Sequence, residues 1–542
     1  MSDNKLTCTY MIAGLSISKM AIIDTIHHIL EELVKYIPDV VYDYIPESKI
    51  SRSLLIGTAS GVLAYLIFKK RYRLPPGPFA WPMIGNSDAY TKGNLAKKFL
   101  DLSKKYGPAF TFYMGPIRCL ILNRIDVINE ALLTMGANYS DRYTLYTSEA
   151  FLQGGEDIIN GRYGTGWKLR RKLAGRAMRL FMVGGNFNIK VEEAVSKTVE
   201  AMLKEKGPFD PKPYMFFTTL NILGAMVFGT KYEYNDKEYL DLLNILEEIS
   251  KIASAGLFIE NIFPPARLFP TKRFKRFAQV VDDFMNIMRS NIKRIEDEFV
   301  PGNVTNFTES LLQAEKEIRE EGEENMDYFK HHHLVLIVFD IFIAGNDTSR
   351  QTLYWALMYM AGLPDVQKKI QDEVDSVVGN NRYPTTSDRE NLTYTDAALH
   401  EIMRLGSVAP IGVPHMTSCD TTIDNGKYEV PKDTMVFINH WGIQNDPDNW
   451  EEVEKFKPER FLDKDGQMAP KPENWLPFSA GRRVCLGEPM AKPELHLILA
   501  GLCQRLVMEP EPGKTINLEP KDDGLLLAPR PYKIVVKPRI NP

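Results

Sequence analysis

The run Phe478-Ser-Ala-Gly481-Arg-Arg483-Val-Cys485-Leu-Gly487 constrains this 542-residue chain more than any other stretch. A single cysteine stands between two glycines, two residues after an arginine. The other cysteines are Cys8, Cys119, Cys419 and Cys503, so the total of five is odd and no paired spacing appears. In a long chain this argues for a reducing compartment with free thiols and against a disulfide framework. Taken alone, Cys485 reads as a small buried hydrophobe, which is what most free cysteines are. With its neighbours it reads as the thiolate ligand of a haem iron: Gly481 and Gly487 let the backbone pass beneath a flat macrocycle where a Cβ would collide, and Arg483 is placed to pair with a propionate. Such a ligand pushes electron density onto iron and favours O–O cleavage.

Phe478, Gly481, Arg483, Cys485 and Gly487 match every fixed position of the haem-binding motif of the cytochrome P-450 family. The chain resembles that family from about Pro75 to its C-terminus. The resemblance implies a mainly α fold with small β-sheets, heme b (iron protoporphyrin IX) held by Cys485, and a monooxygenase that puts one oxygen atom of O2 into a hydrophobic small molecule. Local runs look closest to animal microsomal members of the steroid 17α-hydroxylase and aryl-hydrocarbon hydroxylase group: Asp340-Ile-Phe-Ile-Ala-Gly345, Val408-Ala-Pro-Ile-Gly-Val-Pro-His415, Asn261-Ile-Phe-Pro and Leu268-Phe-Pro270.

Four further segments carry the resemblance. Trp167 and Arg171 stand one helical turn apart and project from one face; by resemblance they hold a haem propionate, with Arg142, His415 and Arg483 as further contacts. The apolar run Leu334–Ile343, broken only by Asp340, leads into Ala344, Gly345, Asn346, Asp347 and Thr348. It resembles the family's oxygen-activation helix, with Ala344 and Gly345 against the haem, Asp347 relaying protons and Thr348 presenting a hydroxyl to bound dioxygen. The competing reading has Thr348 bonded back to the preceding turn. Glu401 and Arg404, at i and i+3, with Arg460 resemble a buried network that supports the haem side. Pro493 lies inside the expected helix after the cysteine, where an interior proline tends to kink it.

Between Arg162 and Arg179 there are seven basic residues and no acidic one. By resemblance the outward members Lys168, Arg170 and Lys172 dock an acidic electron donor; a plain solvated face is the alternative. The expected donor is an NADPH-dependent flavoprotein reductase, with cytochrome b5 as a second candidate, because the chain contains no dinucleotide fingerprint. A net charge of −4 gives no bulk attraction for nucleic acid. The triplet His331, His332 and His333 is discounted as a metal site, since adjacent helical positions point in different directions.

Composition and spacing divide the chain. With 44% hydrophobic residues and no linker or repeat, one large domain over 87–542 is expected. Residues 50–73 read as a membrane anchor: Leu54–Phe68 is uncharged, and Lys69, Lys70, Arg71 and Arg73 form a basic flank that stays cytoplasmic. This places the catalytic domain on the cytoplasmic face of the endoplasmic reticulum membrane; a cleavable signal peptide is the rival reading. Residues 1–49 form an extension whose Ile22, Ile26, Ile29, Leu30, Leu33 and Ile37 have helical spacing, which fits an amphipathic membrane helix, a helix packed on protein, or an unfolded tail. Residues 74–86, rich in proline, read as a stiff hinge.

Helical periodicity dominates Glu192–Glu298 and Leu334–Leu405, with strands expected at Ala109–Tyr113, Arg118–Leu122, Thr434–Ile438 and Lys533–Lys537. Glu315–Asp327 reads as an exposed connection. By resemblance the pocket is lined by Tyr143–Gly154, Ile343, Ala344, Val408–Val413 and Leu525–Leu527, with Leu257, Phe258, Ile259, Ile262 and Phe263 as a membrane-facing entrance or as ordinary core. Three rivals to the monooxygenase remain: a peroxide isomerase or dehydratase of the same fold that needs no reductase, a haem-binding carrier or sensor, and a haem-free membrane scaffold.

Overall fold

Long apolar faces set the helices of the computed structural model, which describes residues 72–81, 84–86, 94–152, 155–182, 186–254, 258–322, 327–521 and 526–539. The extension, nearly all of the expected anchor, and the pocket or entrance positions Gln153, Gly154, Leu257 and Leu525 lie outside the described residues. Among those described, no helix is long and apolar enough to cross a membrane.

In chain order the elements that position the site are α1 (Leu95–Tyr106), β1 (Ala109–Met114), β2 (Ile117–Leu122), β3 (Asp141–Arg142), α2 (Thr165–Met182), α3 (Asn186–Leu203), α4 (Lys212–Phe228), α5 (Lys237–Ser254), α6 (Lys272–Glu298), α7 (Phe307–Glu321), α8 (His331–Gly362), α9 (Pro364–Val377), α10 (Thr393–Gly406), β4 (His415–Met416), β5 (Met435–Ile438) and α11 (Glu488–Arg505). The main sheet has the order β1-β2-β5-β4-β3. Only β2 and β5 run parallel, with Leu120 opposite Val436. Arg142 of β3 lies opposite His415 of β4, so two expected site residues share one rung. Two-stranded pairs form at Thr421–Ile423 with Tyr428–Val430 and at Leu506–Pro510 with Ile534–Pro538.

The 32-residue helix α8 is predominantly apolar and buried on most of its faces, and such a helix must be enclosed by others. It packs against α2, α4, α6, α7, α9, α10 and α11. At about 1.5 Å per residue it runs about 48 Å through the protein. Its middle breaks the rule: Ala344 is exposed and Ile343, Gly345, Asp347 and Thr348 are half-buried, although their helix is surrounded. An exposed side chain on an enclosed helix faces an interior void.

The region read as an exposed connection at Glu315–Asp327 is instead helical as far as Glu321. The reason is a buried stripe of Leu311, Leu312, Ala314 and Ile318, which outweighs the glutamates on the other face. Glu315 itself is mostly covered, bonded to Arg319 at 2.9 Å and His331 at 3.4 Å. The hinge is held rather than free: Thr111 of β1 donates from Oγ1 to the Pro75 carbonyl (2.8 Å) and from N to the Pro76 carbonyl (2.9 Å). A Cβ at Gly77 would lie 1.9 Å from Thr111 O, so only glycine permits this approach. Helix α11 continues through Pro493 without interruption.

Candidate haem-thiolate site

The cysteine loop is closed by its own backbone. Cys485 N donates to Phe478 O at 2.9 Å, and Gly487 then caps α11. Gly481 has φ +71°, and a Cβ there would lie 2.3 Å from Leu132 O. Its glycine is therefore needed for a left-handed turn against the backbone at Leu132, which differs from the macrocycle clearance expected. At Gly487 the nearest atom to an added Cβ is Cys485 Sγ, at 3.8 Å. The Cys485 side chain is exposed to solvent-sized contact, yet burial pushes its thiol pKa up. Both statements hold if the thiol opens into an enclosed space. The N–H groups of Gly487 and Glu488 and the Arg171 guanidinium pull the other way and favour the thiolate.

Arg171 lies near it, and Arg142 and Arg483 cluster with Arg171. Arg483 is buried and donates to the carbonyls of Ser140 (2.8 Å), Ile158 (3.2 Å) and Gly161, with its Cζ 3.9 Å from the centroid of the Trp167 ring. Arg142 donates to the carbonyls of Ile159 (3.0 Å), Val413 (2.7 Å) and Pro414 (3.1 Å). Arg171 donates to Val484 O, and Trp167 Nε1 to Ile158 O at 2.9 Å. Among the described residues no carboxylate lies within ion-pair reach of Arg142, Arg171 or Arg483. Burial first, then repulsion from Arg142, pushes Arg483 down to about 8; burial and Arg171 push Arg142 down to about 10. Asp141 and Asp157 offset this in part from a distance, but buried cations with no carboxylate in ion-pair reach remain costly. Such a cluster fits a ligand that brings its own carboxylates, as haem does with its two propionates. His415 sits in the same cluster, with Nδ1 2.8 Å from Tyr139 O. Burial and Arg142 hold it well below the usual imidazole range, so the ring is neutral, donates from Nδ1 and keeps Nε2 as an acceptor.

Helix α8 is tied to this cluster by a residue that sequence reasoning left without a role. Asp340 Oδ2 accepts from Ile158 N (2.7 Å) and Ile159 N (3.1 Å), and the carbonyls of those two residues receive Arg483, Trp167 and Arg142. Asp157, also buried, adjoins it, and burial together with the neighbouring carboxylate raises Asp340 well above the ordinary value. Its place in an unbroken apolar run was the available signal. Ala344 and Thr348 follow Asp340 at steps of four and so share its face.

The expected acid and alcohol separate. Thr348 Oγ1 donates to Ala344 O at 2.7 Å, while Asp347 pairs with the buried Arg350, whose other side lies 3.9 Å from Glu247 of α5. The Asp347–Arg350 pair, at i and i+3, was legible and overlooked. Gly345 and Asn346 turn away from the void. A Cβ on Gly345 would meet Leu223 of α4 at 3.1 Å, so this glycine admits a neighbouring helix rather than a cofactor, and Asn346 Oδ1 accepts from Thr219 of α4 at 2.8 Å.

Below the site, Arg404 donates to both oxygens of the fully buried Glu401 (2.7 and 2.9 Å), and Arg460 Nε reaches Glu401 at 3.0 Å. Arg404 also holds the Gln444 and Val453 carbonyls, while Arg460 holds those of Glu451, Glu452 and Lys455. On α2, Lys168 and Lys172 are exposed, but Arg170 is buried and donates to Tyr328 O at 3.1 Å. Arg170 therefore cannot serve as an outward docking residue, because it lies on the buried stripe of its helix.

An exposed thiol near guanidiniums with no carboxylate in ion-pair reach fits what a haem-thiolate cradle requires. The family model described as Cytochrome P450 matches residues 75–536. Cytochrome P450 1A2 of Oryctolagus cuniculus is 31% identical across 91% of this chain and 98% of its own length. Cytochrome P450 2U1 of Mus musculus is 31% identical across 88% and 94%, and a steroid 17-alpha-hydroxylase/17,20 lyase of Rana dybowskii is 32% identical across 81% and 85%. The chain belongs to the cytochrome P450 family. It is a haem-binding monooxygenase.

Proposed function

We propose that the protein inserts one oxygen atom of O2 into a hydrophobic small molecule, with electrons from NADPH delivered by a separate flavoprotein reductase. The observation that carries this reading is the exposed Cys485 thiol near Arg171, which clusters with the buried Arg142 and Arg483. When bound there, thiolate-ligated haem supplies dioxygen activation.

The chain's own residues do the rest. The amides at the start of α11 and Arg171 stabilise negative charge on Cys485 Sγ. Arg142, Arg171 and Arg483 would hold the propionates of the bound group and neutralise their charge. Ala344 leaves its face of α8 open, and Thr348, on the same face, offers a hydroxyl that already spends its proton on Ala344 O and so would first act as an acceptor. Asp347, paired with Arg350, moves protons only when that pair opens. Val413, 43% exposed, and the half-buried Ile343 and Val408 give the void an apolar lining suited to a steroid, fatty acid or aromatic compound. The relative named for steroid 17α-hydroxylation makes steroids the first class to try.

The proposed location is the endoplasmic reticulum membrane, with the domain on the cytoplasmic face. Supporting it are the basic flank after the uncharged run and two exposed apolar knuckles: Phe79, Trp81 and Ile84, and Ile259, Phe263, Leu268 and Phe269. Phe258 is not part of the second knuckle; it is buried under Arg273, 4.2 Å from its ring. Exposed Lys168 and Lys172 are proposed to meet the reductase, with cytochrome b5 as a second donor.

The test reconstitutes the protein with reductase and NADPH, screens steroids, fatty acids and polycyclic aromatics by spectral shift, and follows product under labelled dioxygen. NADPH-dependent product carrying one labelled atom is expected. Product formed only from a hydroperoxide, without NADPH, would transfer the protein to the isomerase reading.

A further inference from the structure

The discounted histidines meet a partner that lies far away in the chain. His332 Nε2 is 2.7 Å and His333 Nε2 3.1 Å from the same oxygen, Glu156 Oε2, with 176 and 177 positions between them. Ligand atoms of the three residues lie within 4.8 Å of one another, and the two rings are 3.9 Å apart. Adjacent helical positions do diverge in mid-helix, but these two lie in the first turn of α8, where the loop carrying Glu156 closes over both. We infer that Glu156, His332 and His333 form a site for a divalent transition-metal cation, zinc foremost, which staples the loop before Ile158 to the start of α8.

The donor chemistry is that of a three-ligand zinc site with two imidazoles, one carboxylate and an open position for water. Atoms about 2.0–2.1 Å from one tetrahedral centre stand about 3.3 Å apart, so the two histidine–carboxylate distances need only a small opening and the histidine–histidine distance, within 4.8 Å, lies in reach of the same centre. The means for it exist: His333 is anchored, its side chain 2% exposed, whereas His332 and Glu156 are 35% and 49% exposed and can adjust. His333 Nδ1 now accepts from Lys330 N at 2.8 Å, which puts its proton on Nε2. Metal capture moves that proton to Nδ1 and ends this one capping bond. Arg170 of α2 faces Glu156 and His333 and opposes the added charge. His331 belongs to a different contact, with Glu315 at 3.4 Å, and serves as the internal control.

The experiment uses full-length holoprotein stripped with a chelator, equilibrium dialysis against zinc at micromolar concentrations, and elemental analysis. One zinc per chain is expected, with binding at least tenfold weaker in Glu156→Gln and in His332→Gln and unchanged in His331→Gln. Zinc should also raise the thermal midpoint of the wild type but not of Glu156→Gln. His332 is partly exposed, so its variant decides even if His333→Gln fails to fold. Zinc binding that survives both Glu156→Gln and His332→Gln, or no saturable binding by the wild type, overturns the inference.

Discussion

Asp340 of α8 accepts the amide of Ile158 at 2.7 Å across 182 positions. This bond ties the helix that faces the void to the loop whose carbonyls seat Arg483 and Trp167. One connected hydrogen-bond system thus runs from α8 to the cysteine loop, with a buried acid at its start, and would support the proposed cofactor site.

Removing that acid should be felt at the haem. Asp340→Ala strands two buried amides, at about 1–3 kcal/mol each; a lower urea midpoint and faster haem loss are expected. Asp340→Asn keeps the acceptor. Because the folded-state pKa lies above the ordinary 3.8, the native form keeps a proton that the unfolded chain releases. Stability from this group is therefore present at low pH and is lost as pH rises above that value. Asp340→Asn should flatten this slope, which urea titrations from about pH 4 to 7 will report.

The cation cluster predicts opposite effects with and without cofactor. Arg171→Leu relieves repulsion among buried guanidiniums, so the apoprotein should be as stable as wild type or more so. The holoprotein should lose haem faster. Thermal midpoints of both forms check this, and an equal fall in both would refute anion-seeking arginines.

Asp347 and Thr348 should separate by stability. Asp347→Asn leaves Arg350, only 2% exposed, without its close partner. Breaking a buried pair costs about 3–5 kcal/mol, at the low end here because Glu247 lies nearby. Thr348→Ala should be close to neutral in stability and should lower product formed per NADPH consumed. Denaturation curves beside product and NADPH measurements distinguish the two.

Glu401→Gln should be the most disruptive change outside the cysteine loop. Glu401 and Arg404 are both 0% exposed, and the pair holds carbonyls at Gln444 and Val453 in place. A loss of about 3–5 kcal/mol is expected, read as reduced folded yield and haem content.

What was legible in the sequence was local. The Cys485 loop is contiguous, Glu401 and Arg404 are one turn apart, and strands such as Ile117–Leu122 follow from short apolar runs. The inward turn of Arg170 was also readable, because Trp167, Arg170, Ala174, Ala177 and Phe181 trace one buried helical stripe. Other features had no local signal. Arg483 finds carbonyls more than 300 positions away, and Glu156 meets His332 only after folding. Asp340, read only as a break in an apolar run, and Arg350, which carried no reading, are both interior because α8 is enclosed by its neighbours.

The most direct test of the account is the absorption spectrum of the reduced carbon monoxide complex, wild type beside Cys485→His and Cys485→Ala. The wild type should absorb at the position diagnostic of thiolate ligation, and both variants should lose that band. A variant that keeps it, or a wild type that binds no haem, would contradict Cys485 as the ligand.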